Sequence, residues 1–309
     1  MDYTVLTLDG WLEFNRLKWG LSPVKLKLFE SSSERPAVEF VVYTDKKGRI
    51  KTPKLNAYLP MIFSPTDTLS IPRLGRQWLS VGKLAAKEFR ERGVINAVSF
   101  PPLIMDIRPW KWNHFQANVN FTFYSKFPYD VKTAERSVRA KIRKANELGY
   151  ICERTSQMED IVECLNDTGE RQGFTSRLDA GDLNTCQSLL GSDVCRAYVC
   201  YAPDGEAVSA RVALTYPGAS ALGWVAGTKR RYLSDGCAQL LWLFTLEDLQ
   251  NSGASGFDWA GANIPSVAAA KAAWGGQLVP YYTIRQPNAR AFAHNLIDFW
   301  RFTRGKQRQ

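Results

Sequence analysis

The sequence predicts an α/β chain in which mixed, mostly antiparallel sheets are flanked by helices and divided between two domains. Three observations carry this. Stretches with apolar residues at alternate positions recur along the chain, separated by stretches with apolar residues three and four apart, the periods of strand and helix. The 309 residues suit two ordinary domains better than one small module. The composition, 45% apolar and 23% charged, is that of a packed globular protein and excludes a disordered chain or a disulfide scaffold. No run approaches the ~18 apolar residues of a membrane span. The opening MDYTVLTLDGWLEF has no basic segment followed by an apolar one, so a cytoplasmic protein is expected.

In the expected first domain, residues 1–128, a short helix over Gly10–Leu17 precedes the strand PAVEFVVYT, where Val38, Phe40 and Val42 alternate with their neighbours. LNAYLPMIFSPTD is rich in strand formers and ends in turn chemistry at Ser64-Pro65. Arg76–Arg92 is helical, with Trp78, Val81, Leu84, Ala85 and Phe89 on one side. The strands VINAVSFPP and FQANVNFTFYSKF follow, the second closed by Pro128.

The expected second domain, residues 129–309, opens with the clearest helix. Val131, Ala134, Val138, Ile142 and Ala145 form an apolar stripe, and Gly149 stands where a helix ends. Lys132, Arg136, Arg139 and Arg143 share a different face. YICERT is a short strand, Ser156 can cap a helix through Asp167, and Leu183–Leu190 is a second short helix. Three strands then form a meander through the turns Pro203-Asp204-Gly205 and Pro217-Gly218. Ser234-Asp235 offers a cap to CAQLLWLFTLEDL, which is apolar almost all round and predicts burial on every side. The strand SGFDWAGAN, a helix over Pro265–Trp274, the strand QLVPYYTIR and a helix over Asn288–Thr303 complete the chain.

Forty Lys and Arg against thirty Asp and Glu give a net charge of +10, which suits a polyanionic partner without choosing one. The six cysteines form no CxxC pair and only two histidines exist, so scattered buried thiols are expected rather than a metal site. GWVAGTK is not a phosphate-binding P-loop, because its Gly-to-Lys spacing is one residue short and no Ser or Thr follows the Lys.

The order helix, helix, three strands, helix, strand, helix, strand resembles the GNAT acyltransferase fold, and the whole chain resembles the FemAB-like branch, in which two GNAT-like domains are fused. WKWNHFQANVNFTFY is similar to the segment that ends the first domain of that branch, and SVRAKIRKANELGY to the basic helix that begins the second. FDWAGANIPSVAAAKAAWGGQLVPYY is similar to the ending FD-x-x-G … FK-x-x-FGG-x-x-x-x-Y, with Ala270 and Trp274 in place of its two later Phe residues.

The resemblance implies amide-bond formation by acyl or aminoacyl transfer, with the donor ester lying where two neighbouring parallel strands part. Lys271 matches the family's FK lysine and is expected to stabilise an oxyanion. Asp258 matches its FD, as an orienting residue or as the base for the acceptor amine. Arg211, inside the apolar strand VSARVALTY, is an inward-pointing substrate-binding candidate, and Trp224, Tyr281 and Tyr282 are expected to line the same gap. Donor phosphates would meet the helix start at Gly236 and Ala238, after Lys229, Arg230 and Arg231. Asp235 has the wrong sign for pyrophosphate, and only Gly236-x-Ala238 remains of the usual loop, which favours aminoacyl-tRNA over coenzyme A.

With the basic face of Arg136, Arg139 and Arg143, the expectation is therefore tRNA as partner, aminoacyl-tRNA as co-substrate and no resident cofactor. The acceptor would be an amine of a peptide or of a cell-wall or natural-product precursor. An acyl-CoA-dependent N-acyltransferase of the same fold and a non-catalytic RNA-binding module built on it are the alternatives.

Overall fold

Core strands buried at almost every position, and helices buried along one stripe, divide the chain, in a computed structural model, into two compact units. Residues 1–29, 35–173 and 177–287 are described. One unit comprises Met1–Trp19 and Asn120–Pro280, the other Gly20–Val119 and the chain from Tyr281 onward. This differs from the expected division at residue 128. The first helix belongs with the later residues, and the chain passes between the units inside two strands.

In the second unit, β1 (Ser22–Leu28), β2 (Val38–Thr44) and β3 (Met61–Phe63) form an antiparallel sheet in that order. The strand β1 was not foreseen. Its SPVKLKL alternates, but no position in it is fully buried, as suits an edge. The long helix α2 (Ile71–Arg92) is capped by Ser70, whose hydroxyl accepts from the Arg73 N–H at 3.4 Å, and it ends at Gly93. Its stripe of Trp78, Val81, Ala85 and Phe89 packs with Phe40, Phe100 and Trp110. The short strand β4 (Val98–Ser99) precedes α3 (Arg108–Trp112), a single turn that periodicity did not reveal.

The first unit holds α1 (Asp9–Trp19) and a sheet running from β5 (Gln116–Lys126) through β10 (Gly256–Asp258), β9 (Ser220–Thr228), β8 (Ala207–Leu214) and β7 (Cys195–Tyr201) to β6 (Ile151–Arg154). Only β9 and β10 pair in parallel; the other neighbours are antiparallel. The remaining helices are α4 (Arg136–Glu147), α5 (Met158–Gln172), α6 (Ala180–Leu190), α7 (Cys237–Asn251) and α8 (Pro265–Ala272). The last strand, β11 (Gln277–Arg285), ends beside β4, with Ile284 opposite Val98.

Three local expectations change. The helix α4 starts at Arg136, because Val131–Thr133 form a separate 3-10 turn capped by Asp130, so Lys132 leaves the basic face. The helix α5 has Gln157, not Ser156, at its N-cap. Burial of α7 is one-sided: Cys237, Leu241, Thr245 and Leu249 are fully buried, whereas Leu240, Trp242, Leu243 and Phe244 are half-buried. The helix expected over Asn288–Thr303 lies outside the described residues. Five cysteines are buried and Cys152 is half-buried, all as free thiols. Among the described residues, no helix is long and apolar enough to cross a membrane.

Candidate active site

Parallel pairing of β9 and β10 runs for three residues, from Ser220 opposite Gly256 to Leu222 opposite Asp258. It then stops, because β9 bulges. Ala213 of β8 faces Gly223 while Val212 faces Val225, so Trp224 is the extra residue. A bulge bends its strand and ends local pairing. Here it parts the two parallel strands and opens a cavity of about 260 Å³. Trp224, Arg211, Trp242, Trp259, Val267 and Lys271 are among its walls. The rings of Trp242 and Trp259 lie 4.5 Å apart, and that of Phe257 lies 5.5 Å from Trp242, giving the wall a rigid aromatic face.

Lys271 and Asp258 are joined by the turn after β10. Asp258 is fully buried, and its oxygens accept from the Tyr3 and Thr122 hydroxyls, both at 2.6 Å, and from the Ala260 N–H at 2.8 Å. Two successive left-handed residues follow, Ala260 (φ 53°) and Gly261 (φ 77°). They curl the backbone so that three consecutive carbonyls converge on the Lys271 Nζ: Trp259, Ala260 at 2.7 Å and Gly261 at 2.7 Å. All three ammonium donors are thus engaged. Burial lowers the Lys271 pKa to about 8, with the nearby Asp258 charge opposing the shift and Arg211 adding to it. Three donors around it hold the Asp258 carboxylate in this turn.

The other expected lining residues separate. Arg211 is buried on β8 with its Cζ 3.1 Å from the Trp242 ring centroid. Trp224 lines the cavity and packs edge-on against Trp11 and Phe14 of α1. Tyr281 and Tyr282 are not among the lining residues. Tyr281 lies against Tyr58, ring centroids 5.2 Å apart, and Tyr282 lines a hollow with Met105, Arg108 and Lys111. Trp242, Thr168 and Gln172 line the cavity without having been singled out in the sequence. The Gly223-Trp224 pair inside a strand pattern was the available signal for the bulge.

At the start of α7, where a phosphate site is expected, α4 packs closely against Gly236. Gly236 has φ 88°, and a Cβ there would lie 2.1 Å from the Lys141 carbonyl oxygen of α4. This glycine is required by the close approach of α4. Asp235 beside it accepts from the Tyr150 hydroxyl at 2.9 Å and pairs with Lys144. The Ala238 carbonyl accepts from Arg211 Nη2 at 3.4 Å. Lys229 is buried in ion pairs with Glu163 (2.7 Å) and Glu206 (3.0 Å), and Arg231 pairs with Glu206. The Arg230 N–H donates to Asp167. Two of the three cations of this cluster are therefore ion-paired, and the Arg230 side chain is exposed. On α4, Arg136 and Arg143 are exposed and Arg139 is half-buried.

No protein-family model and no curated protein matches the sequence. Solved structures do match the fold. The chain is similar to FemX, with a TM-score of 0.63 and 13% identity over 91% of this chain and 92% of that one. It is similar to the C-terminal domain of a putative lysylphosphatidylglycerol synthetase from Agrobacterium fabrum, with a TM-score of 0.56 and 13% identity over 96% and 91% of the two chains. A third match is L-PGS from Bacillus licheniformis, with a TM-score of 0.53 and 10% identity over 87% and 86%. With two parallel strands parted by a bulge and this likeness over nearly its whole length, the chain has the FemAB-like, GNAT-type fold.

Proposed function

We propose that this chain is an N-acyl transferase that forms an amide bond, with aminoacyl-tRNA as donor and an amine of a peptide or of a cell-wall or natural-product precursor as acceptor. The observation that carries the reading is a half-buried ammonium, Lys271, lining a cavity beside two parallel strands. An ester carbonyl held there is attacked by the acceptor amine. Lys271 exchanges one of its three carbonyl acceptors for the developing oxyanion. Collapse breaks the ester C–O bond, the ribose oxygen leaves, and the proton from the amine passes to it. No covalent enzyme intermediate is needed, and Asp258 acts by holding the turn.

The choice of donor is supported by Asp235, whose charge beside the start of α7 opposes a pyrophosphate, and by the close contact between Gly236 and α4. The exposed arginines of α4 offer a basic surface for a tRNA backbone, whereas Lys229 and Arg231 are ion-paired. Lys271→Met is expected to lower single-turnover transfer from charged tRNA on the order of a hundredfold, with the circular dichroism spectrum unchanged. Unchanged turnover in that variant would remove Lys271 from the mechanism.

A further inference from the structure

Arg211 is a buried cation without an anion. Its residue is 3% exposed in the middle of β8. One face of the guanidinium lies on the Trp242 ring, and Nη2 makes one long hydrogen bond, 3.4 Å, to the Ala238 carbonyl. Its Nε and Nη1 are buried and have no hydrogen-bond partner among the described residues. Arg211 and Lys271 are also the only charged side chains among the described residues that line the cavity. Asp258, the carboxylate near Lys271, is already held by Tyr3, Thr122 and Ala260. A buried guanidinium and a half-buried ammonium therefore share one small space with no acidic side chain among its described lining residues. Burying a guanidinium without an anion is strongly unfavourable, and its planar fork matches a carboxylate through two parallel N–H bonds. A cavity of about 260 Å³ is amino-acid-sized, below the usual range for nucleotide-sized ligands.

We propose that the cavity selects an acyl group bearing a second, anionic group, a carboxylate as in an acidic aminoacyl or dicarboxylic acyl donor, which Arg211 binds while Lys271 faces the reacting carbonyl. The proposal rests on the acyl-transfer reading above and adds the chemical class of the group transferred. It gives Arg211 a substrate contact.

The test uses monomethyl glutarate, which carries one ester and one carboxylate, against its neutral dimethyl ester and against inorganic phosphate. Binding to the full chain is read by calorimetry, and Arg211→Met and Arg211→Lys serve as variants. The expected result is saturable binding of monomethyl glutarate, at least tenfold weaker in Arg211→Met, intermediate in Arg211→Lys and undetectable for the dimethyl ester. Ligand-free Arg211→Met should melt no lower than the wild type, because removing an uncompensated charge relieves the fold. Equal binding of the two esters, or no binding of monomethyl glutarate at millimolar concentration, overturns the proposal. Binding of phosphate alone overturns it too, since the anion would then belong to another part of a ligand. A large fall in the melting temperature of Arg211→Met, with carboxylate affinity kept in Arg211→Lys, makes Arg211 a prop for Trp242 and also overturns it. Because binding is read without turnover, the carboxylate site can fail while transfer from charged tRNA stands. Conversely, carboxylate binding without transfer from any donor would sink the acyl-transfer reading alone.

Discussion

Asp258 receives three donors and Lys271 serves three acceptors, and the turn between them is the smallest unit on which the site depends. Asp258→Asn would turn an amide N–H₂ toward a donor now facing a carboxylate oxygen. It should cost on the order of 2–4 kcal/mol in urea unfolding, the scale of a broken buried network. A loss of activity with stability intact would instead make Asp258 a base. The lowered Lys271 pKa fixes a pH window. The ammonium is present below about pH 8 and lost above it. Transfer that depends on this charge should therefore decline as pH rises through about 8, and Lys271→Arg, protonated throughout, should lose that alkaline limb. Stability moves the other way. Between about pH 8 and the ordinary lysine value of 10.5 the unfolded chain binds more protons than the folded one. Wild-type stability relative to Lys271→Met should thus rise across that interval in denaturant titrations at stepped pH.

Among the elements, the junction of α4 and α7 depends on a single glycine. Gly236 and Ala238 resemble remnants of a phosphate loop, yet the glycine is there because α4 approaches within the space of a methyl group. Gly236→Ala should cost on the order of 3 kcal/mol or more, combining a left-handed alanine with a clash against backbone, and thermal unfolding would show it. A neutral substitution would mean that the helices separate easily and that a phosphate could enter. Strand and helix order was legible because alternation and 3.6-residue stripes survive in PAVEFVVYT, VSARVALTY and SVRAKIRKAN. The single-turn helix α3 and the edge strand β1 were not, since one is too short for a period and the other buries no full face. Lys271 and Asp258 were found by motif. The bulge at Trp224, which opens the cavity, was missed because strand pairing decides it rather than any local pattern.

For the whole molecule, the +10 charge is unevenly used. Lys229 and Arg231 are ion-paired with Glu163 and Glu206, so α4 should contribute more than they do to the salt-dependent part of any tRNA affinity. Arg136→Glu with Arg143→Glu should weaken tRNA binding about tenfold or more and flatten its dependence on salt, as read by filter binding at several ionic strengths. Equal affinity in that double variant would place the contact elsewhere. The central claim is that the gap between β9 and β10 receives an acyl ester carried by tRNA rather than by coenzyme A. It is tested most directly by titrating the chain with charged tRNA at two salt concentrations, beside an acyl-CoA thioester followed by calorimetry. The account predicts tight tRNA binding that weakens steeply with salt and no heat from the thioester. Thioester binding with negligible affinity for tRNA would contradict it.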